Sequence, residues 1–185
     1  MMKAAALILL VMLLAGCALP ARPPEPSLQA SYIDIAADAL WRVTISQGEE
    51  RKFSGLLGTR RENGGLHYVL LDGTGVTLLA ARLSADGEMT KLRQLGVFDG
   101  HRLPDFLATS LYRIFLLEPA ATPCSRNFLL QLCRRETAQG EKKYARAGFL
   151  PWWSVEYVTA AEESQQPGIT FKNTWLGVTL QLVAD

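Results

Sequence analysis

From Arg51 onward the chain alternates short apolar runs with clusters of turn-forming residues. "RKFSGLLGTR" runs into Glu62-Asn63-Gly64-Gly65, "LHYVLLD" follows, Asp72-Gly73-Thr74-Gly75 interrupts, and "VTLLAARL" ends at Asp86-Gly87. Hairpin punctuation every eight to twelve residues predicts antiparallel strands, because parallel neighbours would need crossover helices that these gaps cannot hold. The pattern resumes after Gly140 with "KKYARAG", "FLPWWSVEYVTAA", "GITFKNTW" and "VTLQLVAD". There Val155, Tyr157 and Thr159 alternate with Glu156 and Val158, and Val178, Leu180 and Leu182 with Thr179 and Gln181, the period of strands that bury one face.

One segment departs from this period. Over Leu103–Leu117, "LPDFLATSLYRIFLL", Phe106, Leu107, Leu111, Ile114 and Phe115 fall on one stripe at helical spacing, extended by Leu103 and Leu117. Pro104 suits a first turn, Asp105 complements the amino end of the helix dipole, and Pro119 stops the run. The spacing predicts one helix of about 22 Å laid across a curved sheet. "YIDIAADAL" fits either a second helix or a first strand.

Cys124 and Cys133 bracket "PCSRNFLLQLC". An intrachain disulfide is the default pairing in an oxidising compartment. Nine steps along one straight strand span ~30 Å, whereas bridged Cα atoms lie within ~7 Å, so the chain folds back between them or the bond does not form. Ser125-Arg126-Asn127 could supply that turn. Metal binding is the weaker alternative, with no histidine or second cysteine pair nearby.

Ahead of the strands lie Lys3 and the apolar run "AAALILLVMLLAG", the length of a signal-peptide core and short of a membrane span. It ends in Leu-Ala-Gly-Cys, which is similar to the lipobox of bacterial lipoproteins. That resemblance implies that residues 1–16 are a removed leader, that Cys17 is acylated and becomes the first mature residue, and that membrane lipid is a partner through it. Ala18, where such lipoproteins carry Asp for inner-membrane retention, implies the periplasmic face of the outer membrane. Residues 17–30, with "LPARPPEPS", read as a tether, and 31–185 as a single domain.

Formal charge is +1 over 185 residues, which supports neither a nucleic-acid footprint nor a polybasic membrane patch. The pairs Arg60-Arg61, Arg134-Arg135 and Lys142-Lys143 end apolar runs, as solvated strand ends do. Catalytic chemistry is sparse. His67 falls inside a strand and His101 in a loop after Asp99-Gly100, and no Gly-x-Ser-x-Gly, HExxH, CxxC or P-loop spacing occurs. The expectation is a protein without enzymatic activity and without a cofactor.

The aromatic cluster carries more information. Pro151 precedes Trp152 and Trp153, with Phe149 and Tyr157 nearby, and adjacent residues of a regular strand point to opposite faces. If the sheet is an open barrel, the inward ring lines its cavity, where an apolar surface suits an acyl or polyene chain.

The hairpins "FSGLLGTRRENGGLHYVLLDGTGVTLLAARLSADG", the helix "LPDFLATSLYRIFLLEP" and the closing "GITFKNTWLGVTLQLV", all behind a lipobox, resemble a family of uncharacterised bacterial lipoproteins often encoded beside aryl polyene and related fatty-acid-type pigment clusters. The likeness extends from about Ser46 to Val183. That family is similar to the lipoprotein carrier and receptor pair LolA and LolB. The resemblance implies an α+β fold, mostly antiparallel β: a curved, unclosed half-barrel sheet covered by one or more helices around an apolar cavity. It implies a carrier of a lipid, an acyl or polyene chain, or a lipoprotein's acyl group. Phe106, Leu107, Leu111, Trp152 and Trp153 are then the candidate ligand-binding residues. The alternative is a structural or assembly lipoprotein with a filled interior that docks a protein partner. The polar loop Asn63-Gly64-Gly65 has no match to the receptor's membrane-touching apolar loop.

Overall fold

The computed structural model describes residues 38–158 and 167–185; the leader, Cys17, Ala18, the tether, residues 31–37 and Thr159 lie outside the described residues. Eleven strands form one sheet: β1 (Ala39–Gln47), β2 (Glu50–Glu62), β3 (Gly65–Leu71), β4 (Thr77–Leu83), β5 (Met89–Gln94), β6 (Cys124–Asn127), β7 (Leu130–Thr137), β8 (Gly140–Ala147), β9 (Leu150–Val158), β10 (Gly168–Asn173) and β11 (Val178–Ala184). Their spatial order is β5-β4-β3-β2-β1-β11-β10-β9-β8-β7-β6, every pair antiparallel. Two meanders therefore meet where β1 pairs with β11, and β5 and β6 remain as edges. The sheet is an unclosed half-barrel. Of "YIDIAADAL", the described part, Ala39 and Leu40, begins β1.

The hairpin chemistry follows the sequence. Asn63 and Gly64 adopt φ of 51° and 77° between β2 and β3, the left-handed pair that a two-residue hairpin matching the strand twist requires. Gly55 is needed for another reason. A Cβ there would collide with the Leu71 carbonyl oxygen.

The chain passes from edge to edge through helix α1 (Leu103–Leu111). Pro104 and Asp105 occupy its first turn, and Leu107, Ala108 and Leu111 are buried against the sheet. The predicted fifteen-residue helix is not uniform. Tyr112–Leu116 forms a wide π turn, with Leu117 N–H donating to Tyr112 O at 2.8 Å. Its orphan carbonyls, which any helix end leaves, are taken up by side chains of the sheet. Tyr157 donates to Ile114 O at 2.5 Å, Arg61 to Phe115 O at 3.0 Å, and Lys143 to Leu117 O at 2.7 Å.

Inward residues of seven strands close on this helix: Trp41, Val43, Leu57, Tyr68, Leu70, Leu79, Val155, Phe171, Leu180 and Leu182 are all buried. The interior under α1 is therefore packed rather than hollow. No helix among the described residues is long and apolar enough to cross a membrane.

Candidate functional site

The space left open lies at the other end of the concave face, where three local features meet. The first is the edge hairpin of β6 and β7. Cys124 and Cys133 face each other in register and are joined by a disulfide, with Cα atoms 4.0 Å apart. Ser125, Arg126 and Asn127 are not the turn; they belong to β6, and the chain reverses at Phe128-Leu129. A tight reversal halfway between the cysteines is what brings them opposite.

The second feature is a β-bulge. β8 pairs Ala145 with Trp153 and Arg146 with Pro151, so Trp152 has no partner on β8. Strict alternation, which sets neighbouring side chains on opposite faces, is broken at a bulge. The expectation that Trp152 and Trp153 point apart is corrected accordingly: both rings lie against one guanidinium. The Arg113 Cζ is 4.8 Å from the Trp152 ring centre and 5.4 Å from that of Trp153.

The third is the π turn with the residue that ends it, supplying Tyr112, Arg113 and Leu117. Together these elements enclose a groove of about 450 Å³, walled by Tyr112, Arg113, Leu117, Leu130, Leu132, Trp152 and Trp153 among others. Trp153 is buried and packs on Phe171, and Phe171 on Phe106, with ring centres 6.2 and 6.4 Å apart. Trp152 stacks outward on Trp175 at 5.8 Å.

The five residues singled out from sequence thus divide. Trp152 and Trp153 line the groove. Phe106 reaches it only through Phe171, while Leu107 and Leu111 have no exposed surface and belong to the packed core. The stripe on α1 is simply the face that the sheet covers. Sequence reasoning missed Arg113 and Leu130. The signal for Arg113 was present: a single charge inside the apolar run "SLYRIFLL".

Electrostatically the site is uneven. Burial lowers the Arg113 guanidinium below its ordinary range, and Arg113 makes no ion pair or hydrogen bond among the described residues; its contacts are the two indole faces. Glu118, also on the groove, is held by Lys143 at 3.1 Å and Arg134 at 2.8 Å. Burial pulls the Lys143 ammonium down to about 8, against the opposing pull of Glu118. His67 lies elsewhere, on a second groove of about 290 Å³ with Glu62, Arg82 and Ser84. His101 is exposed in the loop before α1. No three His, Cys, Asp or Glu side chains converge as metal ligands among the described residues.

Around the groove mouth the surface is unusually apolar. Phe128 is 90% exposed and Phe149 87%, with Leu129, Leu130 and Leu150 beside them. Their two turns are tied together, Gly148 N–H donating to Leu129 O at 2.8 Å. Phe128 holds a φ of 48°, an uncommon left-handed conformation for a bulky residue. Trp175 and Leu176, also exposed, occupy the β10–β11 turn, which antiparallel alternation places on the same rim. No protein-family model matches this chain, and no curated protein does.

Proposed function

We propose that this protein is a lipid-anchored, non-enzymatic carrier of apolar chains, similar in its manner of working to LolA and LolB, held by acylated Cys17 at the periplasmic face of the outer membrane. The observation that carries this reading is the groove of about 450 Å³ between the π turn, the disulfide hairpin and the paired tryptophans, a size within the ~300–1,000 Å³ of small-molecule sites. Its walls offer broad ring faces and few directional contacts, as a flexible acyl or polyene chain requires.

The rim supports the same reading. Phe128, Leu129, Phe149 and Leu150 form a contiguous apolar edge beside Leu130, which lines the groove. Arg126 and Arg146, exposed and aligned across β7 through Gln131, flank it with positive charge. Aromatic tips with basic neighbours suit a lipid interface. In this arrangement a chain leaves the bilayer at the rim and enters the groove without crossing water. The tether is long enough: residues 17–30 would span at most roughly 50 Å if extended, against ~30 Å for a nine-residue strand.

The packed interior beneath α1 favours the assembly reading for that half of the molecule, and the rim would then dock a protein. Uptake separates the two. Every described strand and α1 lie within 38–185, so the chain from Ala18 onward contains the whole described fold. That chain is expected to bind a neutral apolar dye such as N-phenyl-naphthylamine and to lose affinity several-fold with Trp152→Ser. No dye uptake by the wild type would leave the assembly reading.

A further inference from the structure

The exposed wall of the groove is mostly apolar, and one of its charged members is chemically specific. Arg113 stands on the π turn among leucines and aromatic rings, in a lining whose polar members also include Ser125, Asn127, Gln131 and the ion-paired Glu118. A guanidinium is strongly hydrated, so removing part of its water is unfavourable unless other contacts replace it. Here the replacements are the faces of Trp152 and Trp153, at 4.8 and 5.4 Å. Such contact attracts the cation without using its N–H donors, and Arg113 makes no hydrogen bond or ion pair among the described residues. Neighbouring acids do not use them. Glu118 is engaged by Lys143 and Arg134, and Glu141 by Arg134.

Taken with the carrier reading, on which this inference rests, we infer that the groove selects chains ending in an anionic group, with Arg113 as the headgroup-binding residue. A carboxylate or a phosphate matches the fork of a guanidinium with two parallel hydrogen bonds. The two indoles hold that fork in place before the ligand arrives, so little rotamer freedom is lost on binding. A neutral alcohol of equal chain length would gain the same apolar burial without the paired hydrogen bonds, and a cationic chain would meet like charge. Carboxylate and phosphate share this chemistry, and the two sources, free fatty acid and phospholipid, are separated by the probes.

Displacement of N-phenyl-naphthylamine from the chain beginning at Ala18 tests the inference. The competitors are dodecanoate, dodecyl phosphate, dodecanol and dodecyltrimethylammonium, each below its micelle concentration. In the wild type the anionic chains are expected to displace the dye at roughly ten-fold lower concentration than dodecanol, the span of one good charge-assisted contact, and the cationic chain to be weakest. Preference for dodecanoate over dodecyl phosphate indicates free fatty acid, and the reverse indicates a phospholipid-type head; either supports the inference. Arg113→Met and Arg113→Gln are expected to bring the anionic-to-neutral ratio close to one. Arg42→Met, whose guanidinium pairs with Asp185 away from the groove, is expected to keep it. Equal displacement by dodecanoate and dodecanol in the wild type overturns the inference while leaving the carrier reading intact, as does a ratio that survives both Arg113 variants. If the dye itself does not bind, the carrier reading fails and this inference with it. The wild-type order of the four competitors decides even if both variants unfold.

Discussion

The Lys143 ammonium lies 2.7 Å from the main-chain oxygen of Leu117, and its side chain has no exposed surface. It also donates to Ile114 O at 3.1 Å and to Glu118, so a charge carried on β8 closes the end of the helix that packs on the inner face of the sheet. Lys143→Met removes the donor to the Leu117 carbonyl, while Ile114 O keeps Tyr157 and Glu118 keeps Arg134, at a cost of about 1–3 kcal/mol. Chemical denaturation at neutral pH is the measurement.

The same group gives a pH signature. Burial lowers its folded pKa to about 8, while in the unfolded chain it returns to ~10.4. Between those values the unfolded state binds more protons, so this group's contribution to stability increases as pH rises from about 8 toward 10.4. Wild type is therefore expected to gain stability relative to Lys143→Met between neutral pH and about pH 9.5, before the buried tyrosines, whose pKa values lie above 10, come into play. A flat difference across that range would contradict it.

Core and groove respond differently to truncation. Leu111→Ala is expected to cost about 2–5 kcal/mol, because Leu111 is fully enclosed. Trp152→Ser, beside open space, is expected to cost much less while weakening dye uptake several-fold. Thermal melts and binding titrations on the two variants should therefore rank in opposite orders.

The disulfide holds a wall of the groove rather than the core. Replacing Cys124 and Cys133 together by Ser is expected to cost ~2–3 kcal/mol by loop entropy, with amide exchange accelerated first in β6, a four-residue edge strand paired only with β7. Ligand affinity should fall with it, since Ser125, Asn127 and Leu130 line the groove. Exchange rates unchanged in β6 would argue against this.

Phe128→Ser combined with Phe149→Ser removes two rings that make almost no folded contact. Stability is expected to stay within about 0.5 kcal/mol of wild type. Co-sedimentation of the non-lipidated chain with phospholipid vesicles should drop at least ten-fold, since each buried Phe is worth ~1.5–3 kcal/mol.

Much of the fold was legible because turn chemistry and alternation are local. Asn63-Gly64 and Asp72-Gly73-Thr74-Gly75 mark reversals wherever they occur, and Leu180 with Leu182 can bury only one face. β5, "MTKLRQ", was not legible, because an edge strand with no fully buried side chain carries no apolar period. The groove was half legible. Tryptophans announced it, but the bulge that turns Trp152 toward Arg113 depends on a register slip against Arg146, and register is a property of pairs of strands. Leu107 and Leu111 looked like cavity lining for a related reason: an apolar stripe reads the same whether it faces packed side chains or space.

Strand order has a consequence for how the protein is made. The middle of the sheet is a seam between β1, the first of the eleven strands to be synthesised, and β11, the last, running from Trp41 opposite Ala184 to Gln47 opposite Val178. Until β11 emerges, each meander keeps an unpaired inner margin beside its natural outer one, and the closing contact spans nearly the entire described chain. Loss of the final strand would therefore cut the half-barrel through its centre, whereas loss of β5 or β6 would only trim its border.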